Sequence, residues 1–369
     1  MIMGKLIKIA LTGGSCAGKS EALTYLTQTL EKEGIKVYPI GECATALIKS
    51  GKTPEKMGSF EFHSLLFSTQ LKAEQRAETD AARLETDAVM ITDRGLLDNR
   101  AYVSAEDFAA YAHTLGFTED RLRSRYDAVF HLVTAASGAE AYYQCGNNSA
   151  RTETAEQARE LDEALLALWT GTPHLRVIDN SGDYQAKLDR LLSEVYAVLG
   201  IPKPLEIERK FLIAMPDLSY LDSIKTCRRV PITQAYLTTA SEGRFRVRKR
   251  GDGEDAVYIK TVKHKINDLK RIEIESYISK EEYYDYLSKK DSLQGIISKD
   301  RYCIVWHSTY YELDVFPFWT DRALIEIELL SEEQSFELPD FVTLIREVTH
   351  ERAYRNKALA QIYGKTKTV

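Results

Sequence analysis

Two patterns of apolar and polar positions divide the chain. In the N-terminal part, short apolar runs such as "LIKIALT", "AVMITD" and "DAVFHLV" alternate with Ala- and Leu-rich stretches of helical periodicity. That alternation predicts an α/β domain, a parallel sheet with helices on both faces. In the C-terminal part, apolar and charged residues alternate strictly in "FRVRKR", "AVYIKTV", "RIEIESYI", "YCIVWHS", "YYELDVF" and "ALIEIELL". These segments predict an antiparallel sheet or barrel, its apolar side covered by helices at 279–290, 338–348 and 352–364. Between the two patterns, "LGIPKPLEIE" (199–208) places two prolines directly after a helical segment, Tyr184 to Leu199. Proline fixes its own φ and disfavours helix in the residue before it, so this stretch reads as a linker. The expected domains are 1–199 and 203–369.

Composition narrows the class. A chain of 369 residues is too long for one ordinary core, and 44% hydrophobic with 28% charged residues is normal for a soluble globular protein. A net charge of −6 argues against general nucleic-acid binding. Cys16, Cys43, Cys145, Cys227 and Cys303 are scattered without a CxxC pair, which reads as reduced thiols and not as a disulfide framework or zinc site. The N-terminal apolar run is too short for a signal peptide, and no stretch approaches the roughly 18 apolar residues of a membrane span. The reading is a cytoplasmic protein with no membrane partner.

"LTGGSCAGKS" contains Gly13-x-x-x-x-Gly18-Lys19-Ser20, after an apolar strand and before a helical pattern. In that context it is a P-loop. Backbone N–H groups of Gly13, Gly14, Ser15, Ala17 and Gly18 would close around phosphate oxygens, aided by the helix dipole. Lys19 would reach the β and γ phosphates of ATP or GTP, and the Ser20 hydroxyl would hold Mg²⁺. Asp93, ending "AVMITD", is the expected metal-orienting carboxylate, with Arg94 and Asp98 on the following loop. Arg151 in "NNSARTE" is a candidate clamp on the transferring phosphoryl group, and Glu42 in "PIGECATALI" a candidate neighbour of an acceptor. "GGSCAGKS", "GECATALIKSGKTPE", "DRGLLD", "YDAVFHL" and "ARTE" together resemble the AAA_28 group of P-loop proteins, which is similar to the kinase domain of NadR-type ribosylnicotinamide kinases. The resemblance implies a small-metabolite kinase or ATPase.

The alternating strands sort their charges. Arg244, Arg246, Arg248 and Arg250 share one side of "RFRVRKR", with Arg250 near the following turn. Glu206, Glu208 and Lys210 share one side of "LEIERK", Glu273 and Glu275 follow Arg271, Glu312 precedes Asp314, and Glu326 precedes Glu328. An ordinary wet face would intersperse the signs. A charged side that closes on itself would instead form a polar lumen, whose carboxylates need a hard divalent cation, Mg²⁺ or Mn²⁺, and whose cations need a polyanion.

"LEIERK", "QAYL", "RFRVR", "RIEIE", "YELD", "IEIE" and "VTHERAYRNKALA" resemble, in order, the CYTH family of triphosphate tunnel metalloenzymes. The resemblance implies an eight-stranded antiparallel β tunnel. In it Lys210, Arg244, Arg246, Lys260, Arg271 and Arg301 would bind phosphates, with Arg248, Lys263 and Arg352 as further candidates. Glu206, Glu208, Glu326 and Glu328, backed by Asp314, would hold metal or orient water. The expected function is metal-dependent hydrolysis of tripolyphosphate, pyrophosphate or an organic triphosphate, beside a nucleotide-binding P-loop domain. A class IV-type adenylate cyclase and a non-catalytic polyphosphate sensor are the competing readings.

Overall fold

In a computed structural model of the chain, residues 4–140, 154–201, 207–239, 243–265, 271–289, 293–331 and 334–364 are described. Contacts divide it into two compact units, Met1–Leu199 and Gly200–Val369.

The first unit runs β1 (Leu6–Thr12), α1 (Lys19–Lys32), β2 (Lys36–Ile40), α2 (Cys43–Lys49), α3 (Pro54–Met57), α4 (Ser59–Ala81), β3 (Ala88–Asp93), a 3-10 segment (Leu96–Tyr102), α5 (Ala105–Thr114), α6 (Glu119–Arg123), β4 (Ala128–Leu132), α7 (Ala155–Trp169), β5 (Leu175–Ile178) and α8 (Tyr184–Leu199). The strands form a parallel sheet in the order β2-β3-β1-β4-β5. Every residue of β3 and β4 is buried, as expected of central strands covered on both faces. Ile9, Leu11, Ile91, Phe130, Leu26 and Leu191 join these strands to α1 and α8 in one core.

The second unit runs β6 (Ile207–Ala214), α9 (Leu218–Ser223), β7 (Cys227–Thr239), β8 (Gly243–Arg250), β9 (Val257–Lys265), β10 (Arg271–Tyr277), α10 (Lys280–Ser288), β11 (Leu293–Trp306), β12 (Thr309–Val315), β13 (Arg322–Leu329), β14 (Leu344–Glu347) and α11 (Asn356–Tyr363). Its antiparallel sheet has nine strands, in the order β10-β9-β8-β7-β11-β12-β13-β6-β14. Eight are the expected strands. The ninth, β14, lies within 338–348, where a helix was expected. Leu338, Phe341 and Val342 pack against the sheet from the loop and turn that lead into β14, and the β-branched Val342, Thr343 and Ile345 favour extended chain over helix.

The alternation gives the sheet two faces of different chemistry. Phe211, Ile213, Ile304, Leu313, Ile325 and Ile327 form an outer core with Leu221 of α9. Val247, Phe245, Leu237 and Tyr258 form another with Tyr283 of α10, a helix opened by a Ser279–Glu282 capping box. The inner face is charged, except where Leu212, Ile297, Leu324 and Phe316 meet Leu359 and Ala360. Thus α11 packs on inner-face residues, not on the outer face where 352–364 was expected to lie. Strands far apart in the order meet here: Tyr236 of β7 joins the apolar cluster containing Leu212 of β6. The sheet is therefore strongly curled, with α11 against its concave side.

Leu324 is fully buried in that cluster. Leu324→Ala should destabilise the second unit by about 2–5 kcal/mol, read from its denaturant unfolding transition.

Candidate active sites

In the first unit, the chain leaves β1 through a loop that only glycine can enter at two points. Gly13 has φ 128, and a Cβ there would lie 2.1 Å from the Leu132 carbonyl oxygen; Gly18 has φ 85, and its Cβ would lie 2.6 Å from Tyr184 Oη. Lys19 opens α1 and donates to the carbonyls of Gly13 (2.8 Å) and Gly14 (2.7 Å). Burial, and then the Arg94 charge, push its ammonium down to about 8, against the pull of Asp93, Asp98 and Glu42.

Side chains from other elements brace the loop. Thr134 Oγ1 donates to the Ser15 carbonyl (2.5 Å), and Lys187 of α8 donates to those of Ala17 (3.2 Å) and Val133 (2.7 Å). The Gly14 N–H donates to Asp162 Oδ1 of α7 (2.6 Å), beside His131. Burial alone would raise the Asp162 carboxyl, but His131 and the Gly14 N–H hold it below its ordinary value.

Ser20 Oγ donates to Asp93 Oδ2 at 2.6 Å, so the hydroxyl and carboxylate singled out for metal are in contact. Asp93 Oδ1 is buried and has no hydrogen-bond partner among the described residues. Arg94 follows with φ 80, a strained value for a non-glycine residue. Its N–H donates to the Leu11 carbonyl (2.9 Å), and its own carbonyl accepts from Gln70 (2.8 Å). Arg94 Nε donates to Glu42 Oε1 (3.0 Å), and Nη1 lies 3.7 Å from Asp98 Oδ2. Burial opposes ionisation of Glu42, yet Arg94 and the Thr45 hydroxyl bring it down to about 2. Arg151 lies outside the described residues.

In the second unit, the register carries an ionic row across the inner face. Lys210 stands opposite Glu326, and Glu326 opposite Glu312. Lys210 Nζ lies 2.7 Å from Glu326 and 3.1 Å from Glu208. Arg301 stands opposite Asp314 and grips it with both arms, Nε to Oδ1 and Nη2 to Oδ2, each 2.7 Å. It also donates to Glu312, and to Glu326 at 3.3 Å. Lys299, two residues earlier and equally buried, donates to Asp314 as well, and to Asn356 of α11 (3.4 Å). Burial disfavours the charged carboxylate of Asp314, but Arg301 and Lys299 hold it far below its ordinary value.

Glu208 stands directly opposite Glu328, carboxylate against carboxylate. Burial, then the Glu326 charge, push Glu208 up to about 7, with Lys210 pulling the other way. Its side chain is nevertheless 43% exposed, so water screens it and the direction carries more weight than the size. Among the described residues, no three His, Cys, Asp or Glu side chains converge as a ready-made metal centre.

The basic strand faces the same side. Arg246 stands opposite Tyr236 and Thr261, and pairs with Glu275 at 3.2 Å. Arg248 stands opposite Gln234; burial, then Arg246, push it down to about 9, and its buried Nε has no hydrogen-bond partner among the described residues. Arg250 is the last residue of β8, not part of the turn, and is buried toward Cys303. Arg244 is exposed at the other end of the row, and Arg352 is exposed ahead of α11.

Lys260 is a correction. It stands opposite Val247, so it belongs to the outer face, where its Nζ lies 4.9 Å from the Phe245 ring centroid and 2.9 Å from Tyr286 Oη. Lys263 shares the parity of the inner-face Thr261. The side chains of Lys263 and Arg271, and the whole of Glu206, lie outside the described residues. Lys299 and Glu312 were absent from the predicted site, as was Glu275. Lys299 was legible in principle: β11 begins at Leu293, and a period of two counted back from Arg301 reaches it.

The sequence matches the AAA_28 family, an AAA domain, over residues 8–187, and the CYTH family over residues 204–357. An inorganic triphosphatase of Nitrosomonas europaea is 34% identical over 160 residues, 42% of this chain and 96% of that protein. Two crystal structures, one described as an inorganic triphosphatase and one as a hypothetical protein, are each 31% identical over 42% of this chain, covering 94% and 97% of their own, with TM-scores of 0.30.

The raised Glu208 carboxyl is protonated in the metal-free folded chain at a pH where it is ionised in the unfolded one. Its contribution to stability is complete below the ordinary glutamate range and is lost as pH rises through about 7. Carboxyl NMR should show a Glu titrating near neutrality that moves to lower pH on adding Mg²⁺. Glu208→Gln should remove that titration and flatten the fall in stability toward alkaline pH.

Proposed function

Because this chain belongs to the CYTH family and carries an AAA_28 domain ahead of that region, we propose that its second unit is a metal-dependent triphosphatase. Inorganic tripolyphosphate is the leading substrate. The observation that carries this reading is the inner face itself: Lys210, Arg246, Arg248, Lys299 and Arg301 gathered on one curled surface with Glu208, Glu312, Asp314, Glu326 and Glu328. Cations in that number suit a chain of phosphates, and arginine's planar fork matches phosphate oxygens in pairs.

Opposed carboxylates at Glu208 and Glu328, one of them pushed up to about 7, fit a site that awaits a divalent cation. Glu208 and Glu328, with Glu206, would hold it. One or two carboxylates completed by water and substrate phosphates is the usual manner of Mg²⁺, and Mn²⁺ accepts the same hard oxygen ligands. When bound, the ion neutralises charge on the phosphate oxygens and orients the scissile bond.

The chain's own residues do the rest. Arg246, Arg248 and Arg301 bind the phosphate chain. Glu326, kept ionised by Lys210 and Arg301, orients the attacking water for in-line displacement at the terminal phosphorus. Lys210, between Glu208 and Glu326, keeps those two carboxylates from repelling one another. A loose phosphoryl-transfer transition state asks for positioning and charge complementarity more than for a strong base. In the first unit, the braced loop, Lys19 and the Ser20–Asp93 contact support binding of a nucleoside triphosphate with Mg²⁺.

Phosphate release from tripolyphosphate by the full chain with Mg²⁺ tests the reading. Glu326→Gln and Arg301→Ala should each lower kcat/KM by roughly 10²-fold or more. Lys19→Ala should leave it within about two-fold, since additivity holds for independent sites. Pyrophosphate and a cyclic nucleotide released from ATP would favour a cyclase instead, and tight tripolyphosphate binding without turnover would overturn the hydrolase reading.

Lys260 supplies a control. Lys260→Met keeps the aliphatic packing on Phe245 and should leave hydrolysis within about three-fold of the parent, because the stem of such a residue packs while only its head is polar. A larger loss would return Lys260 to the phosphate site.

A further inference from the structure

We propose that the outer edge of β14 is a self-association surface, on which two copies of the chain pair β14 with β14, antiparallel, about a two-fold axis. The proposal does not depend on what either unit binds or hydrolyses.

β14 stands last in the order of the nine-stranded sheet, so only one of its edges is paired. All four of its residues are exposed, Leu344 and Ile345 at 50% and 51%. Sheets commonly blunt such an edge with lysine or proline, and β14, "LIRE", contains neither. An apolar edge left in that state is a template for another strand.

The backbone fixes which groups that strand would meet. The Ala214 N–H donates to the Thr343 carbonyl (2.9 Å) and the Val348 N–H to the Lys210 carbonyl (2.8 Å), with a register shift between Leu344 and Arg346. Residues bonded to β6 alternate with residues turned away from it. The N–H and C=O groups of Leu344 and Glu347 therefore point outward, one residue on each side of the bulge.

A second β14 running antiparallel would place Leu344 opposite Glu347 of the other copy, and Glu347 opposite its Leu344. Both pairs are of the hydrogen-bonded kind, so four backbone bonds form, and the two bulges meet at the axis. Leu344 shares the outer face with its neighbour Ile213, and would lie along the aliphatic stem of the facing Glu347. Ile345 would face Arg346. No like charges stand opposite one another.

Charge identifies the occupant as another copy. Arg346 is already paired with Glu351 (Nη2 to Oε2, 3.1 Å), and Glu347 with Arg209 through two bonds of 2.6 Å. The edge thus has no unmatched charge with which to select an acidic or a basic peptide, whereas its own sequence completes it by symmetry. The other free edge of the sheet, β10, could meet β14 only head to tail, which builds rings or filaments and not a closed pair.

Aromatic residues flank the strand, as they do at the centre of many interfaces. Tyr220, 43% exposed, packs on Phe341 ahead of β14 with centroids 5.6 Å apart, and Tyr354 Oη lies 3.1 Å from Arg346 Nη2. They matter because a stable dimer buries roughly 1,200–2,000 Å² in all, more than four residues a side supply.

Sedimentation velocity of the full chain, from low to high micromolar concentration, should show a monomer–dimer equilibrium. Ile345→Lys sets a charge against Arg346 of the second copy and should raise the dimer dissociation constant by roughly tenfold or more. Leu344→Pro removes an outward N–H and no bond to β6, and should weaken the dimer likewise. Tyr277→Lys, on the exposed β10 edge, is the control and should leave the constant within about two-fold. Each variant is read only where its thermal unfolding matches the parent, so that a lost dimer is not a lost fold. A parent chain that stays monomeric throughout overturns the proposal. So do assemblies larger than a dimer, and a dimer that either β14 variant leaves at the parent's strength.

Discussion

The second unit depends on one buried arrangement: Arg301 held by Asp314, Glu312 and Glu326, with Lys299 and Lys210 on either flank. Each of these charges alone would cost several kcal/mol to bury, and removing any single partner would strand another. Together they are satisfied only when β6, β13, β12 and β11 pair in this register. A slip of one residue would send the whole ionic row into the outer clusters of Phe211, Ile304 and Ile325, and those side chains into the charged face. The network therefore specifies the alignment of the strands as well as their chemistry.

The first unit solves a different problem with its buried charges. A phosphate loop must keep its N–H groups aimed at an empty space, so something else must hold its carbonyls and its flanks. Lys19, Lys187 and Thr134 take four of those carbonyls between them, and Asp162 takes the Gly14 N–H. These braces come from the first residue of α1, from α7, from α8 and from the segment after β4, so the loop's shape is set by the whole unit and not by its glycines alone.

Much of this was legible in the sequence where a local rule has a single solution. A glycine-rich turn between strand and helix admits one reading, and the contact between Ser20 and Asp93 followed from it. Strict alternation located the strands and sorted most of their side chains. It failed at Lys260, because "YIKTVK" offers lysines on both parities and only the pairing with Val247 shows which is inside. It failed at Lys299, because the strand was begun too late. Apolar periodicity suggested a helix over 338–348, although an edge of β6 was free to take that segment as a strand. The role of α11 could not be read either: its apolar side would fit an outer core as well as the inner cluster of Leu212, Ile297 and Leu324.

On the proposed reading the two units would bring phosphate-binding groups together by opposite means, and the backbone explains why. At a helix N-terminus several N–H groups have no internal partner, so a loop such as 13–20 can offer backbone donors to phosphate and needs only one lysine. In a sheet the N–H groups are consumed by the ladder, so a strand face can bind anions only through side chains. Those side chains are then cations lying side by side, as Arg246 and Arg248 are, and they must be held in place before any substrate arrives. The carboxylates Asp314, Glu312 and Glu326 do so for Arg301, and Glu275 for Arg246. It follows that acidic residues on this face have two tasks. Those locked to a guanidinium, Asp314 above all, keep the face in order, while Glu208, beside Lys210, and Glu328 stand opposite one another across β6 and β13, the pair that the proposed function assigns to the ion.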